Sequence, residues 1–133
     1  MDKKIVITGV AGLLGSRLAK WILDNKPEYT VVGIDNLSGG YRENIDKRII
    51  FYETDIAKED LTGIFEYHKP EYVFHLACIP RVAYSIEEPV KTMTNNVLAT
   101  TNVLNFAHKV GAKRVIYSGS SSVVGDGTSP NSP

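Results

Sequence analysis

The chain has 133 residues, with 15 basic and 15 acidic side chains that cancel, 43% hydrophobic residues and one cysteine. That length suits a single domain able to bury roughly two-thirds of the surface its unfolded form would expose. Balanced charge with no long block of one sign argues against a nucleic acid or an anionic membrane as partner, and no stretch of about 18 apolar residues is present to span a bilayer.

Met1-Asp2-Lys3-Lys4 leads straight into a strand-like segment rather than a signal-type apolar region, so the expectation is a cytoplasmic protein with a small partner. Cys78 has no second cysteine to pair with. Together with His75 it offers one ligand pair where zinc takes about four, so no metal site is expected.

Residues 3 to 8 read as a first strand, apolar enough to be covered on both faces. The stretch Thr8-Gly9-Val10-Ala11-Gly12-Leu13-Leu14-Gly15 follows, and a helix from about Gly12 to Asn25 carries Leu18, Ala19, Trp21, Ile22 and Leu23 at helical spacing. Glycines placed where a strand turns into a helix have a chemical reading. Gly9 permits the tight turn, Gly12 lets the backbone approach a diphosphate, and Gly15 lets the helix pack closely on the strand. The N–H groups around Leu13 and Leu14 then face the anion at the positive end of the helix dipole.

A second strand, Thr30 to Asp35, ends in a carboxylate 20 residues past Gly15. A carboxylate there accepts hydrogen bonds from the ribose hydroxyls of an adenosine and repels a 2′-phosphate, which favours NAD over NADP. The polar segment 37 to 45 reads as a loop with one helical turn, and its Arg42 is a residue type able to accept that phosphate. Residues 48 to 54 form a third strand that runs into Thr54-Asp55-Ile56. Asp55 either accepts from an adenine amino group, with Ile56 over the ring, or caps a helix from Ala57 to His68.

The fourth strand is Tyr72 to Ala77, on which His75 alternates with apolar neighbours and reads as a core histidine ahead of a catalyst. Residues 79 to 88 form a loop or a short helix. From Pro89 the positions Val90, Met93, Thr94, Val97, Leu98, Thr101, Leu104 and Ala107 recur at three and four residues, which predicts a long helix packing that face on the sheet and ending at Gly111. Asn95 and Asn96 inside it are either solvent-facing or bonded to a neighbouring strand's backbone or to a ligand. Lys113 to Ser118 form the fifth strand, and Gly119-Ser120-Ser121-Ser122 follow at the rim where open α/β sheets place ligands. The alternation predicts a doubly wound parallel sheet of the Rossmann kind, strand order 3-2-1-4-5, over residues 1–125, with 126–133 as a flexible tail.

These signatures, in this order, make the chain similar to the N-terminal NAD-binding part of the extended short-chain dehydrogenase/reductase family, the nucleotide-sugar epimerases and dehydratases of the UDP-glucose 4-epimerase kind. The resemblance rests on Thr8 to Gly15, Asp35-Asn36-Leu37, Thr54-Asp55-Ile56, His75-Leu76-Ala77, Asn96-Val97 followed by Thr100 or Thr101 and Asn102, and Val115 to Gly125. It implies that Gly9, Gly12, Leu13, Leu14 and Gly15 hold the diphosphate, Asp35 and Asn36 the ribose, and Asp55 and Ile56 the adenine. Leu76 and Ala77 would line the nicotinamide side, Asn96 would brace the strand ends, and Ser118 opens the serine run in which Ser120 is the catalytic serine.

The chain departs from that pattern at Gly119, Val124 and Cys78-Ile79-Pro80. It also holds no Tyr-x-x-x-Lys pair, since Tyr29, Tyr41, Tyr52, Tyr67, Tyr72, Tyr84 and Tyr117 are followed four residues later by Gly, Ile, Ile, Glu, Leu, Glu and Ser. In the family the lysine of that pair lowers the phenol pKa so that the tyrosine can take a sugar hydroxyl proton. The resemblance therefore implies a truncated member, without the substrate domain, that binds NAD but does not turn over. A nucleotide sugar would enter only if that domain were supplied. An uncovered fifth-strand edge or the 89–110 helix would then promote self-association. The competing reading is a non-catalytic dinucleotide-binding or assembly module.

Overall fold

The computed structural model describes residues 3–124. Five parallel strands, β1 (Lys3–Thr8), β2 (Tyr29–Asp35), β3 (Ile50–Glu53), β4 (Tyr72–His75) and β5 (Arg114–Tyr117), form one sheet in the order β3-β2-β1-β4-β5. This is the doubly wound Rossmann-like arrangement that the alternation predicts. β1 sits at the centre because it is apolar on both faces, with Val6, Ile7 and Thr8 all buried.

Each face has its own core. On one side Ile5, Ile7 and Val31 pack with Val10 and with Ala19 and Ile22 of α1 (Leu13–Asn25). On the other, Val6, Val32, Ile34 and Val73 pack with Leu61 and Phe65 of the segment around α2 (Thr62–His68) and with Ala99, Val103 and Ala107. The last three belong to a rod over residues 89–109. It comprises α4 (Pro89–Met93), a π turn (Thr94–Leu98) and α5 (Ala99–Lys109), preceded by the short helix α3 (Val82–Glu87).

That rod corrects one expectation. The stripe predicted to pack on the sheet is largely outside, with Val90 77%, Met93 58% and Leu104 48% exposed, and Val97 and Leu98 also exposed. The face on the sheet is instead the small-residue one, Ala99, Val103 and Ala107, because short side chains let the helix axis approach. Of the predicted stripe only Ala107 is buried.

A second correction concerns residues 55 to 61, which turn before any helix begins. Asp55 Oδ1 accepts from Ala57 N–H at 3.0 Å and its carbonyl accepts from Lys58 and Glu59, while Glu59 Oε1 accepts from Asp55 N–H. Asp55 thus caps this separate turn, and α2 begins only at Thr62. The fourth strand also ends at His75 rather than Ala77, freeing Leu76 to Arg81 to act as a wall. Gly125 and the expected tail 126–133 lie outside the described residues.

Candidate functional site

The turn after β1 is shaped by contacts that exclude a Cβ. Gly9 has φ +72°, donates its N–H to Ile34 O at 2.8 Å, and a Cβ on it would lie 2.8 Å from Ala77 N. A Cβ on Gly15 would come within 2.1 Å of Gly9 O. These two glycines serve close packing of the turn against the exit of β4 and against α1. Gly12 is different: the nearest atom to its Cβ position is 3.3 Å away, and the residue borders open space. No side chain caps the start of α1, so its first N–H groups are available to an external acceptor.

Asp35, at the end of β2, is held from two sides. Oδ2 accepts from Ala11 N–H at 2.9 Å and Oδ1 from Leu37 N–H at 2.8 Å. Each carboxylate oxygen keeps a further lone pair for a hydroxyl donor. The loop beyond closes over the glycine turn, because Ala11 O accepts from Tyr41 N–H at 3.2 Å and from Asn44 Nδ2 at 2.9 Å. Arg42 is drawn to the neighbouring strand, where it pairs with Glu53 and stands 5.4 Å over the Phe51 ring, and it does not line the cleft.

These pieces enclose a cleft of about 610 Å³. Gly9, Gly12, Leu13, Leu14, Gly15, Asp35, Asn36, Asp55, Ile56, Leu76 and Ala77 all border it, so eleven of the sequence-predicted positions converge. The helix start, positive in character, and the Asp35 carboxylate border the same opening. A diphosphate flanked by a hydroxyl-bearing ribose has the complementary pattern. The remaining three positions, Asn96, Ser118 and Ser120, border a second cavity of about 760 Å³ that shares Leu76 to Arg81 with the first.

His75 borders the second cavity. It is 3% exposed, with Nδ1 2.7 Å from Thr8 Oγ1 and Nε2 2.8 Å from Thr100 Oγ1. Burial pushes its pKa down. With both ring nitrogens engaged it is a satisfied core histidine. Asn96, carried inward on the π turn, clasps the backbone of Ile79 from both sides, accepting from its N–H at 2.8 Å and donating to its O at 3.0 Å. The amide is therefore bonded to the loop that follows β4, where a strand's backbone, a ligand or solvent was the expectation.

A family model described as "NAD dependent epimerase/dehydratase family" matches residues 5–133. The chain belongs to that family. It is 35% identical over 135 residues to the UDP-glucose 4-epimerase of Mycolicibacterium smegmatis, a match covering 98% of this chain and 42% of that protein. Its fold matches a crystal structure of UDP-glucose 4-epimerase with UDP-glucose from Thermotoga maritima, with TM-score 0.82 and 38% identity over 86% of this chain and 37% of the other. A Thermus thermophilus UDP-glucose 4-epimerase in complex with NAD matches with TM-score 0.78 and 31% identity, over 84% of this chain and 36% of the other. The chain thus spans less than half the length of each of these relatives.

Family membership agrees with the Rossmann-like sheet, and the cofactor of the family is NAD. Among the described residues no helix is long and apolar enough to cross a membrane, and no cluster of metal-ligating side chains is present. Sequence reading missed the loop residues Ser38, Gly39 and Gly40 that border the first cleft, and the contacts that Thr8 and Thr100, both within the family signatures, make with His75. The signal for the threonines was present in β1 and in the rod, but pairing them required the three-dimensional register of β1, β4 and α5.

Proposed function

We propose that this chain is the NAD-binding part of a nucleotide-sugar epimerase- or dehydratase-like protein, and that these residues alone bind NAD without turning over a sugar. The observation that carries the reading is the convergence of the glycine turn, Asp35 and the Asp55-Ile56 pair on one cleft. In this reading the N–H groups of Leu13 and Leu14 hold the diphosphate and the Asp35 carboxylate accepts from the ribose hydroxyls. Asp55 and Ile56 take the adenine, and Leu76 and Ala77 face the nicotinamide, which supplies the hydride acceptor when bound. Ser120, at the second cavity, positions a sugar hydroxyl.

No Tyr-x-x-x-Lys pair occurs within these 133 residues, so a general base has to come from elsewhere. Removing a base typically costs about 10²–10⁴-fold in rate. Calorimetry with NAD+ on the purified chain, beside a chromatographic assay for interconversion of UDP-galactose and UDP-glucose, tests both halves. Binding with no interconversion is expected. Failure of NAD+ to bind the folded chain removes the cofactor reading, and turnover by the chain alone removes the second half.

The exposed stripe Val90, Met93, Val97 and Leu104, with β5 at the edge of the sheet, supports self-association or assembly with another chain as a second property. As a working location, the cytoplasm suits an NAD-dependent reaction on a nucleotide sugar; fractionation of the expressing cells checks it.

A further inference from the structure

Segment 76–79 is a wall common to both cavities and has no strand or helix of its own to hold it. Its backbone is anchored by one bond to β1, Leu76 N–H to Thr8 O at 3.2 Å, and by the side chains of two residues. Leu76 and Ala77 donate their N–H groups to Thr8 Oγ1 at 3.2 and 3.3 Å, and Ile79 is clasped by Asn96. Between these anchors lies the ring of His75.

The proton order along this chain of bonds follows from what each atom can do. The Thr100 hydroxyl donates to Asn96 O at 2.5 Å, so its oxygen is the acceptor toward His75 and Nε2 carries the hydrogen. Nδ1 is then bare and accepts the Thr8 hydroxyl proton. The Thr8 oxygen is left with its lone pairs directed to Leu76 and Ala77. One direction of bonding satisfies every member: Leu76 and Ala77 to Thr8, Thr8 to His75, His75 to Thr100, and Thr100 to Asn96.

We propose that His75 is a positioning residue whose neutral Nε2–H form orients Thr8 and Thr100 so that the wall 76–79 stands at a fixed height beside the glycine turn. The contact is close enough for this to matter, since a Cβ on Gly9 would already strike Ala77 N. His75 touches no reacting atom and acts through the backbone of Leu76 and Ala77. Its effect on ligand choice rests on the reading of the first cleft as an NAD site, whereas its effect on the wall does not.

Three measurements on the full chain test this. Imidazole ¹⁵N spectra should show a bare Nδ1 and a protonated Nε2; the opposite tautomer overturns the bonding order. In Thr100→Val, which keeps the size of the side chain while removing the acceptor, amide exchange at Ala77 should quicken roughly tenfold, the worth of about one net hydrogen bond, and at Leu76, whose N–H also donates to Thr8 O, by less. Exchange at Val6 and Val32 should not change. His75→Leu should behave likewise, and His75→Asn, whose Oδ1 can stand where Nδ1 accepts from Thr8, should recover protection at Leu76 and Ala77. Acceleration spread evenly over the sheet would make His75 an ordinary core residue and overturn the proposal. Finally, NAD+ affinity should weaken about tenfold in Thr100→Val while ADP-ribose, which lacks the nicotinamide, binds as before. Equal loss for both ligands overturns the positioning role. Absence of NAD+ binding to the unsubstituted chain refutes the cofactor reading instead, and amide exchange then decides whether His75 positions the wall.

Discussion

The carboxylate of Asp35 and the backbone N–H of Ala11 meet at 2.9 Å, tying the carboxyl end of β2 to the turn that leaves β1. The residue expected to read the ribose is also a fastener of the diphosphate turn. Asp35→Ala should therefore weaken NAD+ binding by more than the loss of a hydroxyl contact, at least about tenfold, and also lower unfolding stability by about 2 kcal/mol, as for hydrogen bonds to a charged acceptor. Calorimetry and urea titration separate the two effects. Unchanged affinity would remove Asp35 from the ribose site.

Arg42→Ala should leave the ratio of NAD+ to NADP+ affinity unchanged within about twofold, because its guanidinium is engaged by Glu53 and the Phe51 ring and does not border the cleft. Competition binding with the two dinucleotides measures the ratio. A large shift would show that Arg42 leaves Glu53 to meet the ligand.

Gly12 and Gly15 should separate by substitution to alanine. Gly15→Ala places a methyl 2.1 Å from Gly9 O, an overlap with the backbone of Gly9 and Val10, and should cost about 3 kcal/mol or prevent folding. Gly12→Ala meets its nearest neighbour at 3.3 Å and should melt close to the unsubstituted chain while losing NAD+. Thermal melting with and without NAD+ distinguishes them; equal melting temperatures for the two variants would contradict the packing argument.

Stability should fall with acid in two stages. His68 and His75 both have pKa values depressed below 6.5, His75 by burial and His68 by burial and then by Lys4. The unfolded chain therefore binds protons first, and the stability due to neutral histidines is present above about pH 6.5 and lost as pH falls toward the folded values. Asp24 and Asp46 are lowered from 3.8, chiefly by bonding to Arg48, so their contribution is lost only below that value. Urea midpoints between pH 8 and pH 3 should show the first decline in the wild type and a smaller one in His75→Asn. A flat profile from pH 8 to 5 would exclude the histidine stage.

The self-association proposed for this stripe should be abolished by Met93→Glu with Leu104→Glu, read by sedimentation at micromolar concentration, while the fold stays intact, because both side chains are exposed and Ala99, Val103 and Ala107 make the sheet contact. Persistence of association would shift attention to the β5 edge.

Much of this was legible in the residues. The glycine turn, the carboxylate at the end of β2 and the strand order all follow from local chemistry and from alternation, which depend on neighbours in the chain. What escaped depended on choices between equivalent surfaces. Two apolar stripes run along residues 89–109, and periodicity favours the one with larger side chains. The sheet takes Ala99, Val103 and Ala107 because closeness of approach matters more there than side-chain size. Similarly, Asp55 and Asp60 are both good turn formers. Asp60 accepts from Thr62 N–H at 2.9 Å at the true helix start, a local rivalry that propensity does not resolve. The core character of His75 follows from alternation along β4, but its partners on β1 and α5 are 67 and 25 residues away.

The π turn Thr94–Leu98 holds one residue more than an ordinary α turn between α4 and α5. Removing Asn95 would tighten that wide turn to α geometry, an i→i+4 bond taking the place of an i→i+5 one, so Val90 and Met93 would keep nearly their present phase about the axis. Ala99, Val103 and Ala107 would remain seated on the sheet. Such a deletion should therefore leave the rate of Met93 oxidation nearly unchanged, with little movement of the unfolding midpoint. The helix can thus tolerate a change of length at its outer end, as a slip joint does, without passing the displacement to the sheet below.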